Sequence, residues 1–308
     1  MIGSSLCRRL VDAGTRVVAL VRDSDPASEL IRSGTINRLT VVEGSLQSYD
    51  DVERAVLDSE VDTIFHLGAQ TIVGTALRAP LPTLTVNILG TSHVLEVARR
   101  HPDLVRRAVV ASSDKAYGTQ AQLPYTEDTP LEGRHPYEVS KTAADLITQG
   151  YHATYGLPAA IARCGNVYGP GDLNFSRIVP GAIRSLIAKE PLVIRSDGTF
   201  LRDYIYVDDV VDAYLLLAEA ITSGGAAGEA FNFSTGHPLT VLQMYEAVVD
   251  AMDAERIEPI VANTARAEIR DQYLDSSKAC QKLGWEPRFG LRDALRLTAD
   301  WYRALFGR

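Results

Sequence analysis

Short apolar runs rich in β-branched residues alternate with segments of helical periodicity through the first half of the chain. The helical segments 50–58, 85–100 and 136–155 carry apolar residues at three- and four-residue spacing. Strands that alternate with helices form a parallel sheet whose two faces are covered by those helices. We therefore predict an α/β fold with a doubly wound parallel sheet. Its strands are expected over Val17–Val21, Leu39–Val42, Thr63–Leu67, Ala108–Ala111 and Ala159–Ala162.

The regular alternation ends after Gly165, where prolines and glycines separate shorter elements. Because proline and glycine mark turns, this change predicts a second, smaller lobe. We assign residues 1–165 to the doubly wound domain, with 203–222 returning to it. Residues 166–202 and 223–308 are assigned to the smaller lobe.

Net charge and cysteine content limit the binding partners and the cellular compartment that we expect for this protein. The 308-residue chain has 39 acidic and 31 basic residues and a net charge of −8, which repels a nucleic-acid backbone. It has no apolar stretch of membrane-spanning length and no leader-like start, so we expect a cytoplasmic protein that binds neither nucleic acid nor membrane. Cys7, Cys164 and Cys280 are odd in number and widely spaced, which favours free thiols over disulfides or a metal site.

The chain opens with Ile2-Gly3-Ser4-Ser5 and an amphipathic segment that reaches Ala13. A dinucleotide-binding βαβ unit begins with a strand, then GxGxxG, then a helix whose N-terminus holds the pyrophosphate. Gly3 corresponds to the last of these glycines, while the strand and the first two glycines have no counterpart. We therefore expect an empty strand position at the centre of the sheet, unpaired ladder groups beside it, and weaker cofactor binding than in a chain extended upstream.

Tyr137 and Lys141 stand four residues apart on a helix that Pro136 opens, so both side chains project from one face. A neighbouring ammonium favours the phenolate, which would make Tyr137 a general base. Ser113 follows the strand that ends at Ala111, and open α/β sheets place ligands at the carboxyl ends of their strands. Ser113 can then hydrogen-bond the same substrate oxygen. A plain surface pair of tyrosine and lysine is the alternative reading of this spacing.

These motifs together resemble an extended short-chain dehydrogenase/reductase acting on nucleotide sugars, the NAD(P)-dependent epimerase/dehydratase family. The resemblance implies a dinucleotide-binding domain over 1–165 with a nucleotide-sugar-binding lobe, a nucleotide-diphosphate hexose as substrate, and a homodimer. The matching segments run almost from end to end of the chain: Phe65–Gln70, Asn87–Thr91, Pro136–Lys141, Arg163–Asp172, Arg202–Asp209 and Leu283–Pro287.

The residues after the catalytic serine separate the reactions of this family, and here they are Asp114 and Lys115. The order Ser-Asp-Lys resembles the CDP-glucose 4,6-dehydratases, which implies conversion of a nucleotide hexose to its 4-keto-6-deoxy form. Lys115 would take the C5 proton while Asp114 protonates the departing 6-hydroxyl. A 4-epimerase or decarboxylase, in which both residues are bystanders, is an alternative. A degenerate cofactor-sensing protein is another.

The resemblance also implies a set of residues around the cofactor. These are Gly3, Arg22, Ser45, Leu46, Leu67, Ala69, Asn87, Tyr137 and Lys141. An acid at the end of the second strand of the family would hold the ribose of NAD, but Val21 occupies that position and Arg22 follows it. This resembles the GDP-mannose 4,6-dehydratases and predicts NADP over NAD, a preference that Asp23 would reverse if it turned inward.

The substrate diphosphate requires fixed cations, and its paired oxygens suit a guanidinium group. Arg202 and Arg266 match family positions of that kind, and Arg177 is a further candidate. Asn166, which follows the strand ending near Cys164, is the candidate for a contact with the sugar nucleotide.

Overall fold

The structure is a computed structural model that describes residues 1–265 and 268–307. Its α-helices are named in chain order. They are α1 (Ile2–Asp12), α2 (Glu29–Arg32), α3 (Tyr49–Leu57), α4 (Val73–Arg78), α5 (Pro80–Leu84), α6 (Gly90–Arg100), α7 (Pro136–Tyr155), α8 (Ile178–Ala188), α9 (Val207–Thr222), α10 (Val241–Ala251), α11 (Ser277–Leu283) and α12 (Leu291–Leu305).

The strands are named in the same way. They are β1 (Val18–Val21), β2 (Thr40–Glu43), β3 (Thr63–His66), β4 (Arg107–Ala111), β5 (Ala159–Cys164), β6 (Asn166–Tyr168), β7 (Val193–Ile194), β8 (Leu201–Arg202), β9 (Tyr204–Tyr206), β10 (Ala230–Phe233), β11 (Leu239–Thr240) and β12 (Ile260–Val261). The five strands predicted from the sequence correspond to β1 to β5.

The central strands are parallel and form two ladders. One joins β1 to β2, and the other has the order β10-β5-β4-β3. Among the described residues, β1 and β3 are not hydrogen-bonded neighbours. Because every strand runs in the same direction within its ladder, the carboxyl ends of β3, β4 and β5 meet at one edge. That edge carries the site described below.

Both faces of the sheet are buried by helices. On β4, Ala108 and Val110 pack in a cluster with residues of α3 and α6, whereas Val109 packs in a second cluster with α9 and β10. Alternate residues of one strand therefore face two different helical layers, as expected for a doubly wound sheet. The α/β class with a parallel central sheet, predicted from the sequence, is confirmed.

A third cluster lies outside the sheet and unites α8, α10 and α12 with the aromatic residues of β6 and β9. The short pairs β6–β9, β8–β11 and β7–β12 border this region. One segment differs from the predicted boundary between the lobes. Strand β10, which was assigned with 223–308 to the smaller lobe, pairs with β5 in the central sheet. All four of its residues are buried, so the sheet gains an additional buried parallel strand.

Helix α7 begins and ends where its sequence predicts. Pro136 is the first helical residue, and His135 and Glu138 form a reciprocal capping box at the N-terminus. Gly156 adopts the left-handed conformation that ends the helix. The helix is therefore fixed at both ends, and this determines where Tyr137 and Lys141 point.

Candidate active site

The loop after β4 carries three of the predicted site residues. Ser113 is the N-cap of a single 3-10 turn over Asp114–Tyr117, and its hydroxyl accepts a hydrogen bond from the Lys115 amide at 3.3 Å. The turn ends at Gly118, whose φ of 66° lies in the left-handed region. A Cβ at Gly118 would lie 2.3 Å from the Glu132 carbonyl oxygen, so only glycine fits here.

Buried side chains anchor this loop through hydrogen bonds to Tyr117. The Tyr117 hydroxyl donates to Asn232 Oδ1 at 2.7 Å and accepts from Arg163 Nη1 at 2.8 Å. Arg163 also forms a two-pronged ion pair with Asp145, with both N···O distances at 2.8 Å. All four of these side chains are buried. These buried polar groups satisfy one another and anchor Tyr117, the last residue of the 3-10 turn.

Tyr137 and Lys141 project from α7 toward this loop. Burial raises the pKa of Tyr137 to about 12, while Arg177 and the Ser113 side chain act to lower it. Burial lowers the pKa of Lys141 to about 8, and its ammonium donates to the Ala111 carbonyl at 2.7 Å. The sequence predicted Lys141 as the charge that favours the Tyr137 phenolate, whereas in the structure the charge that lowers the pKa of Tyr137 most is that of Arg177.

Asp114 and Lys115 both contact Gln272, a residue that the sequence did not indicate. Asp114 accepts from the Ser113 hydroxyl at 2.9 Å and from the side-chain amide of Gln272. Lys115 Nζ donates to Gln272 Oε1 at 2.8 Å. Burial lowers the pKa of Lys115, and the charge of Arg202 lowers it further, against the opposing influence of Asp114. An acid and a base are thus held side by side next to Ser113.

Asn87 lies in a π-helical turn, Thr85–Leu89, between α5 and α6. Its side chain accepts from the Gln70 amide at 2.7 Å and donates to the Gln70 carbonyl at 3.0 Å and to Ser140 Oγ at 2.9 Å. The residue therefore ties the loop after β3 to α7. Turns of this kind occur often at functional sites.

Several predicted cofactor residues lie at the carboxyl ends of β2 and β3. Gly3, at the start of α1, lies beside Leu67: an added Cβ would be 3.8 Å from Leu67 Cδ1. Ser45 is held through its amide by Asp51, and the Leu46 carbonyl bonds His93 Nδ1 at 2.8 Å. Ala69 follows in the loop after β3, next to the Gln70 that Asn87 holds.

Arg22 lies apart from this group. It follows β1, is exposed, and forms an ion pair with its neighbour Asp23 at 2.5 Å. The carboxylate of Asp23 is therefore directed at the guanidinium group rather than away from it.

The predicted substrate residues are placed differently from one another. Arg202 is buried and donates to the carbonyls of Arg270 at 2.6 Å and Ile269 at 2.7 Å. Arg177 pairs with Asp172 at 3.0 Å and lies near Tyr137. Asn166 donates its backbone amide to the Asp203 carbonyl at 2.7 Å. Arg266 lies outside the described residues.

The residues at this edge fit a dinucleotide. Within the described chain, no side chain caps the first turn of α1, so its backbone N–H groups can face an anion. Ser112 Oγ is buried at the end of β4 without a hydrogen-bond partner among the described residues.

The described residues contain no group of three or more potential metal ligands. None of the helices that they form is both long and apolar enough to span a membrane.

Comparison with known proteins gives concordant matches. Residues 1–233 match the model of the NAD dependent epimerase/dehydratase family. The dTDP-glucose 4,6-dehydratase of Xanthomonas campestris pv. campestris (strain B100) is 28% identical, and the match covers 98% of this chain and 90% of that protein. The UDP-glucose 4-epimerase of Mycolicibacterium smegmatis is 31% identical, with 98% and 95% covered.

A solved structure extends this likeness to three dimensions. The crystal structure of a dTDP-glucose 4,6-dehydratase from Streptomyces venezuelae with NAD bound matches with a TM-score of 0.87 and 28% identity, covering 99% of this chain and 95% of that one. Chains similar to this one thus include both dehydratases and epimerases.

Proposed function

The chain belongs to the NAD-dependent epimerase/dehydratase family, and from that premise we propose that it is a nucleotide-sugar 4,6-dehydratase. It is a lyase that converts a nucleotide-diphosphate hexose to the 4-keto-6-deoxy sugar. The observation that supports this most is the placement of Asp114 and Lys115 beside Ser113. Removal of water needs a base that takes the proton from one carbon and an acid that protonates the oxygen leaving the next carbon.

Bound NAD or NADP supplies a hydride acceptor for C4 and a hydride donor for C6. The first turn of α1 with Gly3 would hold the pyrophosphate, and Ser45, Leu46, Leu67 and Ala69 would bind the adenosine half. Asn87, Tyr137 and Lys141 would bind the nicotinamide half.

Three residues of the chain each carry out one proton transfer. Tyr137 removes the proton of the 4-hydroxyl, and Ser113 hydrogen-bonds the same oxygen. The resulting ketone acidifies the C5 proton, which Lys115 takes as a neutral amine; the burial that lowers the pKa of Lys115 supports that state. Asp114 protonates the departing 6-oxygen. Arg177, Arg202 and Arg266 hold the diphosphate, and Asn166 contacts the sugar nucleotide.

The NADP preference expected from Arg22 finds no support among relatives solved with NAD. The preference stays a prediction, tested by titrating both cofactors into protein freed of bound nucleotide. Tighter binding of NADP, weakened by an Arg22→Ala substitution, is the expected result. Tighter binding of NAD by the unaltered protein would contradict it.

The proposed function is tested with a panel of CDP-, GDP-, dTDP- and UDP-hexoses. We expect one of them to lose the mass of one water, as measured by mass spectrometry of the nucleotide sugar. A 4-epimerase is the second candidate, favoured by the similarity to the mycobacterial enzyme. It would convert the sugar without any change in mass, so the same experiment separates the two.

The homodimer implied by the sequence is supported by one surface. Leu81, Leu89, Val139 and Leu146 are exposed on helices that pack side by side, namely α5, the π-helical turn and α7. An exposed apolar surface of this kind is typical of an interface between subunits. A second copy of the chain is the proposed occupant. The cytoplasmic location stays a prediction.

We expect light scattering after gel filtration to give twice the 33.5 kDa chain mass for the unaltered protein. Leu81→Glu combined with Leu146→Glu should yield monomers, because two buried carboxylates at an apolar contact are costly. Ile260→Glu, a change at an apolar residue on β12 that is as exposed as Leu146, is the control and should remain dimeric. A monomeric unaltered protein would contradict the proposed homodimer.

A further inference from the structure

Gln272 reaches the site from the segment before α11, far in sequence from the loop that it contacts. Its side chain has no exposed surface. The amide nitrogen donates to Asp114 Oδ2, and the amide oxygen accepts from Lys115 Nζ at 2.8 Å. One carboxamide thus links two residues that are neighbours in sequence.

The orientation of this carboxamide suits the charged forms of both groups. An ionised carboxylate only accepts hydrogen bonds, and an ammonium only donates them. The nitrogen of Gln272 faces Asp114 and its oxygen faces Lys115, as those charged forms require. A reversed amide would set an oxygen against the carboxylate and an NH₂ group against the ammonium.

The backbone around Gln272 is held on two sides. Its amide donates to the Leu201 carbonyl at 3.2 Å, and it forms a parallel bridge with Arg202. The next residue, Tyr273, accepts a hydrogen bond from the Tyr125 amide at 2.9 Å. The side chain is thus presented from a segment with a defined position, as a positioning role demands.

We propose that Gln272 is a positioning residue for the loss of water, stabilising the charge that forms on Lys115 and then the charge that forms on Asp114. This rests on the proposed dehydratase function. The C5–H bond breaks and its proton moves to the Lys115 nitrogen. The electron pair passes to the C4 carbonyl oxygen and leaves an enolate. The enolate then returns to the ketone as the C5–C6 double bond forms and the C6–O bond breaks, and the departing oxygen takes a proton from Asp114 to leave as water.

A neutral amine and a neutral carboxylic acid thereby become an ammonium and a carboxylate. Hydrogen bonds to charged groups are stronger than those to neutral ones, so both contacts of Gln272 strengthen as the step proceeds. An interaction that strengthens toward the transition state accelerates the reaction. Burial, which disfavours the charge on Lys115, makes this compensation necessary.

The first test replaces Gln272 with leucine and measures three quantities. We expect water loss to slow by about 10- to 100-fold, as for removal of a hydrogen bond to a charged group. Oxidation at C4, followed by cofactor absorbance, and KM should stay near those of the unaltered enzyme. Asp271→Asn, a change at the next residue, whose carboxylate instead accepts from the Leu201 amide, is the control and should alter none of these.

The second test uses Gln272→Glu, which keeps an oxygen for Lys115 but donates to Asp114 only when protonated. We expect its rate of water loss to peak at lower pH than that of the unaltered enzyme. In the protein without substrate, NMR of the Lys115 side chain should give a higher pKa in this variant and a lower one in Gln272→Leu. A merely structural residue would move neither the profile nor this pKa.

The outcomes separate the two proposals. If the unaltered enzyme removes no water from any sugar, both are overturned. If it does, and Gln272→Leu keeps the rate of water loss or loses C4 oxidation to the same extent, only the role of Gln272 is overturned. If the leucine variant does not fold, an unshifted pH profile in Gln272→Glu overturns it.

Discussion

Replacing Tyr137 with phenylalanine lowers turnover by about 100-fold or more, the scale expected for a lost general base. The change removes only the hydroxyl, so helix α7 with its capping box and terminal glycine keeps its place. The measurement is steady-state turnover together with the fraction of cofactor reduced on mixing with substrate. Both should fall, because Tyr137 acts in the first step.

Tyr155→Phe is the matched control, since this tyrosine lies on the same helix but is exposed at its far end. We expect its turnover to be unchanged. Near-normal turnover in Tyr137→Phe would exclude Tyr137 from the proton transfer at the 4-hydroxyl.

Changes at Lys115 and Asp114 separate the two halves of water loss. Lys115→Met should still oxidise C4 but exchange the C5 proton with solvent about 100-fold or more slowly, because the base is absent. Asp114→Asn should exchange the C5 proton and yet release water slowly, because the leaving oxygen lacks its proton. The measurement is incorporation of solvent deuterium at C5, followed by NMR.

Loss of folding cannot imitate this pattern, since Lys115→Met keeps C4 oxidation while losing C5 exchange, and Asp114→Asn keeps both of these while losing the release of water. Deuterium entering C5 at the normal rate in Lys115→Met would show that Lys115 is not the base. The dehydratase proposal would then lose its main support.

Local signals in the sequence were enough to predict helix α7 and the strands β1 to β5. Proline in the first turn and apolar periodicity reflect interactions between residues close in sequence, and the structure has α7 and the five strands where these signals predict them. Strand β10 was assigned to the wrong region because its pairing with β5 joins residues far apart in the chain. Nothing in the run Ala230–Phe233 indicates which sheet it completes.

The same distinction applies to the site. Ser113, Asp114 and Lys115 were found because they are contiguous and follow a strand. Gln272 was missed, since a single glutamine carries no motif and its contacts with Asp114 and Lys115 arise only from folding. The one available signal was its place six residues after the candidate Arg266. The influence of Arg177 on Tyr137 likewise depends on tertiary structure.

The path of a single deuterium atom tests the proposed dehydratase reaction. A nucleotide hexose labelled with deuterium at C4, of the kind that the panel identifies, is converted by the unaltered enzyme and the product is examined by NMR. A dehydratase that returns the hydride internally yields a 4-keto sugar with deuterium in its C6 methyl group. Deuterium found again at C4 of a sugar that keeps its 6-hydroxyl would contradict the account and identify an epimerase.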